Sequence, residues 1–350
     1  MAVLEALSAP SASRRACRPR SPLRRHPSRP PRLRGPRGSV PPRYRRVFEP
    51  LRPLTPALAD DLHRYQDIDG FEEMFNKFKN YFADPADWVG QGNIVVVTGD
   101  RGSGKTSLIQ RCACWLRDED QRQCEVVVVD LVEERWLADD AMARVIRASG
   151  RVTDALAAGS FASGAQVRQV RDQGNDVVNI FRYLGLALQG GSGAGAVPAV
   201  PVLVLPAYSS LAEVGLYHDL ICRGMFVFAE ILAADRSGAE RDYLRELSRP
   251  GVDLQPLETG TLREQDAERM MDRIRRDFPQ APELPEHLFQ KYLVTLVNAD
   301  HHPMTAKALA MEACAYLAEA EAEGAQRVTE DHLIRYYQRL ARELSRREGS

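Results

Sequence analysis

At 350 residues, 44% of them hydrophobic, the chain is long enough for one large or two modest domains with a real apolar core. Its longest apolar stretches are strand-sized or broken by proline, as at 196–207 (AVPAVPVLVLPA), which leaves no run of about 20 residues to span a membrane, and no membrane partner is expected. The six cysteines (17, 112, 114, 124, 222, 314) include no C-x-x-C pair; this argues against a disulfide frame or a structural zinc and fits a reducing cytoplasm.

The formal net charge of −1 hides an asymmetry: 13 of the 47 basic residues, all Arg, but only one of the 48 acidic ones, Glu5, fall in residues 1–46. A segment so rich in Arg, Pro and Ser cannot bury enough apolar surface to fold, and 1–46 is expected to be a disordered tail. It reads as a nucleic-acid or membrane-surface arm, as a targeting peptide, or as unselected sequence ahead of a later start. The last is preferred, and an intact acidic body is expected after its removal.

From Leu51 to Asp61 Pro and Ala dominate, and the stretch Gln66-Asp-Ile-Asp-Gly70 follows, in which Ile68 is a candidate contact for a nucleotide base. Residues 71–82 (FEEMFNKFKNYF) set aromatics and Met at helical spacing, which predicts a helix packed on the core rather than a ligand cage. Next comes the stretch that organises the chain. Gly99-Asp100-Arg101-Gly102-Ser103-Gly104-Lys105-Thr106 fills every position of the G-x-x-x-x-G-K-[ST] phosphate-binding loop, and the run Asn93–Thr98 (NIVVVT) predicts the buried strand that must enter it. Lys105–Arg117 (KTSLIQRCACWLR) predicts the helix that must leave it. Glycines let such a loop curl its N–H groups inward, and the helix N-terminus adds the positive end of its dipole, so the loop suits a polyphosphate. Residues Gly99 to Ser107 are the expected phosphate-binding set, with Lys105 on the β- and γ-phosphates of ATP and the Thr106 hydroxyl as a Mg²⁺ ligand.

Cys124–Leu131 (CEVVVVDL) predicts a second strand, giving a parallel βαβ unit. Asp130 at its end reads either as a magnesium carboxylate or as a strand-end cap for the following loop. Helices are expected over Trp136–Ser149 and Val167–Leu188, separated by a Gly/Ser-rich break at 159–164, with a flexible joint at Gly190–Gly195. Further strands are expected at Pro201–Pro206, Met225–Ile231 and Val252–Leu257, with helices ending near Cys222 and Leu247 between them. The remainder is helical in pattern: Thr261–Phe278, Pro285–Asn298, Thr305–Glu323 and Thr329–Glu348. The expected organisation is an α/β domain over 60–258, a parallel sheet of about five strands, followed by a helical lid over 260–348.

A P-loop strand, four more strands and a helical lid resemble the AAA+ and related STAND branch of the P-loop NTPases, over about residues 60–340. Asn298–Ala308 (NADHHPMTAKA) is similar to the start of the family's lid helix, and Val328-Thr-Glu-Asp-His332 to the opening of its last helix; the nearest likeness is to origin-recognition and bacterial conflict-type ATPases. The resemblance implies an Asp-Glu pair ending the third strand, where this chain has Pro206-Ala207, and Pro can neither hold Mg²⁺ nor activate water. It implies that the fourth strand lies beside the P-loop strand, so that Glu230 opens into the nucleotide crevice where the family has a polar γ-phosphate sensor. Glu230 is then either the replacement for the missing base or a solvated strand end. Arg249 stands where relatives place the finger that reaches a neighbouring subunit's γ-phosphate, and its other reading is a helix C-terminal or surface cation. The lid's sensing Arg is replaced by Met304, with His302 or Lys307 as stand-ins, and the adjacent pair His301-His302 is not expected to hold a metal.

Two functions follow from this reading. One is a switch or scaffold that binds ATP and Mg²⁺, changes shape and signals to a protein partner or another copy while hydrolysing slowly or not at all. The other is an oligomeric ATPase that remodels a protein or nucleic acid. A kinase or GTPase is disfavoured because no guanine-reading Asn-Lys-x-Asp run is present. Nucleic acid is not favoured, since the last helix mixes Arg335, Arg339, Arg342, Arg346 and Arg347 with Glu343 and Glu348.

Overall fold

The β-branched run before the P-loop forms β1 (Gly92–Gly99), buried along its length. Only a strand covered on both faces can be so uniformly apolar, and here a parallel sheet supplies the cover. The computed structural model describes residues 54, 56, 68, 70–118, 124–134, 140–189, 197–207, 209–232, 239–247, 249–260, 262–288 and 305–348, all within one unit spanning 38–350. Expectations for 1–46, Gly190–Gly195, His301, His302 and Met304 lie outside these residues, as do Trp136, the far end of the helix expected to reach Asn298 and the side chain of Lys307.

Ahead of β1 are α1 (Phe71–Tyr81) and α2 (Pro85–Gly90), the latter started by Pro at its first turn and by the Asp84 carboxylate accepting from the Ala86 amide. After it come α3 (Lys105–Asp118), β2 (Glu125–Asp130), α4 (Ala141–Ala158), α5 (Gly164–Arg171) and α6 (Val177–Gln189). They are followed by β3 (Ala199–Val204), α7 (Leu211–Leu220), β4 (Met225–Leu232), α8 (Ala239–Glu246) and β5 (Val252–Glu258). The five strands form one sheet in the order β2-β3-β4-β1-β5, every pairing parallel. The α/β class, the five strands and the neighbouring of β4 with the P-loop strand are as expected.

Alternation along the strands divides the core into two. Val95, Val97, Val200, Val202, Val204, Phe226 and Phe228 face α1, α2 and α3 and meet the stripe Phe71, Phe75, Phe78, Phe82, which is core as its spacing predicts. Ile94, Val96, Leu203, Met225, Val227 and Ala229 face α4 to α7. After β5 the chain continues into α9 (Glu264–Asp277), α10 (Ala306–Ala322) and α11 (Glu330–Glu348), which close a third cluster around Met270, Met271, Leu309 and Leu317. At the start of α11, His332 takes the place a Glu or Gln holds in a capping box: its Nδ1 accepts from the Thr329 amide at 2.9 Å.

Two helix expectations are corrected. The helix sought at 136–149 is capped by Asp140, whose carboxylate accepts from the Ala143 amide, and it continues past Ser149 to Ala158 because Val145, Ala148, Val152 and Leu156 keep one buried stripe. The single helix sought at 167–188 is two helices. Gly174 takes φ +60°, and Asp176 starts a new N-terminus by accepting from the Asn179 amide at 3.1 Å.

Between α4 and α7 lies a buried ion pair in which Arg144 donates to the Glu213 carboxylate. Burial pushes the Glu213 carboxyl up, and the Arg144 charge opposes it. Glu213→Ala leaves the guanidinium buried without its partner and is expected to cost about 3–5 kcal/mol of stability in urea unfolding. The double replacement Arg144→Met, Glu213→Leu is expected to recover most of that loss.

Candidate nucleotide site

The turn from β1 into α3 is possible only with glycine. Gly99, Gly102 and Gly104 take φ values of +152°, +93° and +83°, which side-chain-bearing residues rarely adopt. A Cβ on Gly99 would lie 2.4 Å from the Thr259 carbonyl oxygen and 2.9 Å from Ser103 Oγ. The loop is therefore pressed against the segment that follows β5: Ser103 and Thr259 share a buried hydroxyl hydrogen bond of 2.8 Å, and the Thr259 amide donates to the Thr98 carbonyl at 2.8 Å.

Lys105, 3% exposed, is folded back into the loop. Its ammonium donates to the carbonyl oxygens of Gly99 (3.0 Å) and Asp100 (2.8 Å) and lies 3.7 Å from Glu230 Oε1. Burial lowers its pKa, and the charges of Glu230 and Asp100 work against that shift. The Thr106 hydroxyl donates to Glu230 Oε2. Glu230 arrives there by strand parity. It follows Phe226 and Phe228 on the face covered by α3, pairs in register with Val97, and is held at the backbone by the Ser209 amide, which donates to its carbonyl at 2.9 Å. At 6% exposure it is not a solvated strand end.

These groups fit a magnesium-bound polyphosphate. The backbone turn leaves no room for a Cβ at Gly99, a lysine stands in the loop, and a hydroxyl and a carboxylate offer the hard oxygen donors that Mg²⁺ takes alongside phosphate and water. Among the described residues no group of three or more His, Cys, Asp and Glu could hold a metal on its own, so a cation here would depend on phosphate oxygens.

The other expected site residues are placed as follows. Asp100 and Arg101 form the tip of the loop, and Ser107 Oγ accepts from the Leu54 amide at 3.0 Å. Asp130 lies on the α3 face, level with Val204 of β3, and its carboxylate accepts from Gln110 Nε2 at 2.6 Å and from the Val132 amide at 2.9 Å. The structure thus sets Thr106 on Glu230 and, one helical turn on, Gln110 on Asp130. Ile68 is buried in the cluster formed by α9, α10 and α11. Arg249, expected to reach a neighbouring subunit rather than its own loop, donates through its guanidinium to the carbonyls of His218 and Asp219 at the end of α7. It stands by the amino end of β1, about 25 Å from the loop at roughly 3.3 Å per residue. Pro206 is buried just past β3.

Sequence reasoning missed Thr259 and Gln110. Thr259 meets Ser103 across 156 residues, and no local pattern marks it. Gln110 was within reach, since it lies four residues beyond Thr106 and shares its helix face.

No protein-family model matches the sequence, and no curated protein does. Solved structures with a similar chain path include the Aeropyrum pernix ORC2 protein in its ADPNP–ADP complexes, at 13% identity and TM-score 0.42, covering 76% of this chain and 66% of that one. They include Cdc6p from Pyrobaculum aerophilum, at 11% and 0.44, covering 82% and 70%. A third is Drosophila ORC bound to DNA, at 12% and 0.45, covering 90% and 69%. The chain spans about two thirds of the length of these structures. With the phosphate loop leaving β1, the strand order β2-β3-β4-β1-β5 and helices following β5, the chain has the fold of AAA+ P-loop NTPases.

Proposed function

We propose that the chain binds ATP with Mg²⁺ and acts as a nucleotide-dependent conformational switch that hydrolyses ATP slowly or not at all. The observation that carries this is the convergence of Lys105, Thr106 and Glu230 at the root of a complete P-loop, beside a β3 end that holds Pro206 where a carboxylate pair would stand. Lys105 and the loop would hold the phosphates, and Thr106 the magnesium, which when bound supplies charge neutralisation at the phosphate oxygens. Among the described residues at the end of β3, Leu205, Pro206 and Ala207 carry no side chain that could act as a base.

Support for a switch comes from the other side of the loop. Ser103 is bonded to Thr259, and Gly260, at φ +110°, passes so close that a Cβ added to it would lie 3.1 Å from Ser103 Cβ, just before the chain enters α9. Phosphate binding that shifts the loop would therefore act on the start of the proposed lid, 260–348, against the proposed nucleotide domain, 60–258. Ile68, buried against that lid, is the proposed wall for the base. The partner that reads the change is a second copy of this chain or another protein. No helix among the described residues is long and apolar enough to cross a membrane, and the free cysteines Cys112, Cys114, Cys124, Cys222 and Cys314 fit the proposed cytoplasmic setting.

Equilibrium titration with ATP and excess Mg²⁺ is expected to show saturable binding that Lys105→Ala weakens by about 100-fold, in line with a lost charge-assisted contact. Phosphate release from the wild type should stay below about 0.01 per second, far under the usual turnover of enzymes; brisk turnover would favour the remodelling ATPase instead. Thr259→Val is expected to keep ATP affinity within about threefold while abolishing the nucleotide-dependent change in scattering radius. A radius change that survives in this variant removes the Ser103–Thr259 contact from the switch.

A further inference from the structure

A hydroxyl that ligates a cation through a lone pair must give its single proton to something else. For Thr106 the acceptor is already in place, because Oγ1 donates to Glu230 Oε2. The other carboxylate oxygen lies 3.7 Å from the Lys105 ammonium, and the carboxylate is buried. It therefore stands between the two side chains that a P-loop offers to phosphate and to metal. A base that activates water belongs elsewhere, on the far side of the phosphorus from the leaving oxygen, and must face the attacking water. Neither other candidate can take the place of Glu230 at Thr106. Pro206 has no donor or acceptor on its side chain, and Asp130 is engaged by Gln110 and the Val132 amide.

We propose that Glu230 is the carboxylate of the magnesium site, moved from the end of β3 to the end of the neighbouring strand, and that it makes nucleotide binding itself dependent on magnesium. This rests on the ATP-binding function proposed above. Without the cation, the Glu230 carboxylate and the nucleotide phosphates are like charges competing for Lys105 and Thr106, and the nucleotide is repelled. With the cation, the carboxylate turns from competitor to part of the site. Glu230 is then a positioning residue that acts through Thr106 and the metal. The register Val97↔Glu230 fixes its level beside the loop, and the Phe226, Phe228, Glu230 alternation fixes its face.

The test is the affinity for a fluorescent ATP analogue in excess Mg²⁺ and in EDTA, measured on the full chain for wild type, Glu230→Gln, Thr106→Ala and the double variant. Wild type is expected to bind at least about tenfold more tightly with Mg²⁺, the size expected for relief of one buried like-charge contact. Glu230→Gln should bring that ratio close to one and bind more tightly than wild type in EDTA. Thr106→Ala should also lose the enhancement, and the double variant should lose no more than either single change, because both remove one shared contact. A ratio in Glu230→Gln equal to wild type, or weaker binding than wild type in EDTA, overturns the proposal. If Glu230→Gln does not fold, Glu230→Asp decides. Its shorter carboxylate should raise the Mg²⁺ concentration for half-maximal binding by about tenfold, and an unchanged requirement overturns the proposal. A wild type that binds no nucleotide in either condition refutes the ATP-binding function. Binding by wild type with the enhancement intact in Glu230→Gln refutes only the role of Glu230.

Discussion

Parallel pairing of β1 with β4, with Val97 level with Glu230, is the constraint on which the site depends. Because the side chains of a strand alternate, that register decides both how high Glu230 stands and which face it takes. A slip of one residue would turn Glu230 into the cluster of α4 to α7 and bring an apolar neighbour to Thr106. The same slip would move Phe226 and Phe228 away from Phe78, Phe82 and Trp88, to which their rings are packed at centroid distances of 5.2 to 6.0 Å. Burial of these aromatics thus holds the carboxylate in place, and the apolar core and the polar site are specified together.

The α3 face is not uniformly apolar at its carboxyl end. Two polar rungs stand there, Thr106 with Glu230 and Gln110 with Asp130, above the valines of β3 and β2. A buried polar group costs free energy unless it is paired, and here the buried Glu230 and Gln110 are paired, the first with the half-buried Thr106 and the second with the exposed Asp130. Only Lys105 is left with a mixture of partners, two loop carbonyls and one carboxylate, and burial lowers its pKa. Its contacts are of the kind a phosphate could replace with stronger ones, since carbonyl dipoles attract an ammonium less than a polyanion does.

Much of this was legible in the sequence. The P-loop with its flanking strand and helix, the five parallel strands, the core role of the aromatic stripe and the placement of β4 beside the loop all follow from short-range patterns or from the family's strand order. The helix divisions were less legible. Gly174 and Asp176 carry a turn and a cap within a stretch whose apolar spacing looks continuous, and Gly150 lies inside a helix that the same residue type would ordinarily end. The burial of Glu230 and the Ser103–Thr259 bond depend on partners 124 and 156 residues away, which no window of local sequence contains. Arg249, taken alone, is a charge before a strand, and only the fold shows its guanidinium donating to the last carbonyls of α7, where a cation is favoured by the helix dipole.

Two prolines, Pro201 in β3 and Pro206 just past it, explain why a carboxylate can be missing there without damage to the sheet. Proline has no N–H, so it is tolerated only where the ladder asks for none. Pro201 precedes the point at which β3 begins to pair with β4, at Val202↔Phe226, and Pro206 follows the last ladder bond, in which the Leu205 amide donates to the Phe228 carbonyl at 2.9 Å. Both positions are thus free of backbone demand on the β4 side, and the strand keeps its buried register. Polar chemistry on the α3 face then falls to the next strand along, where the pleat already aims a side chain at Thr106, and Glu230 is the residue found there.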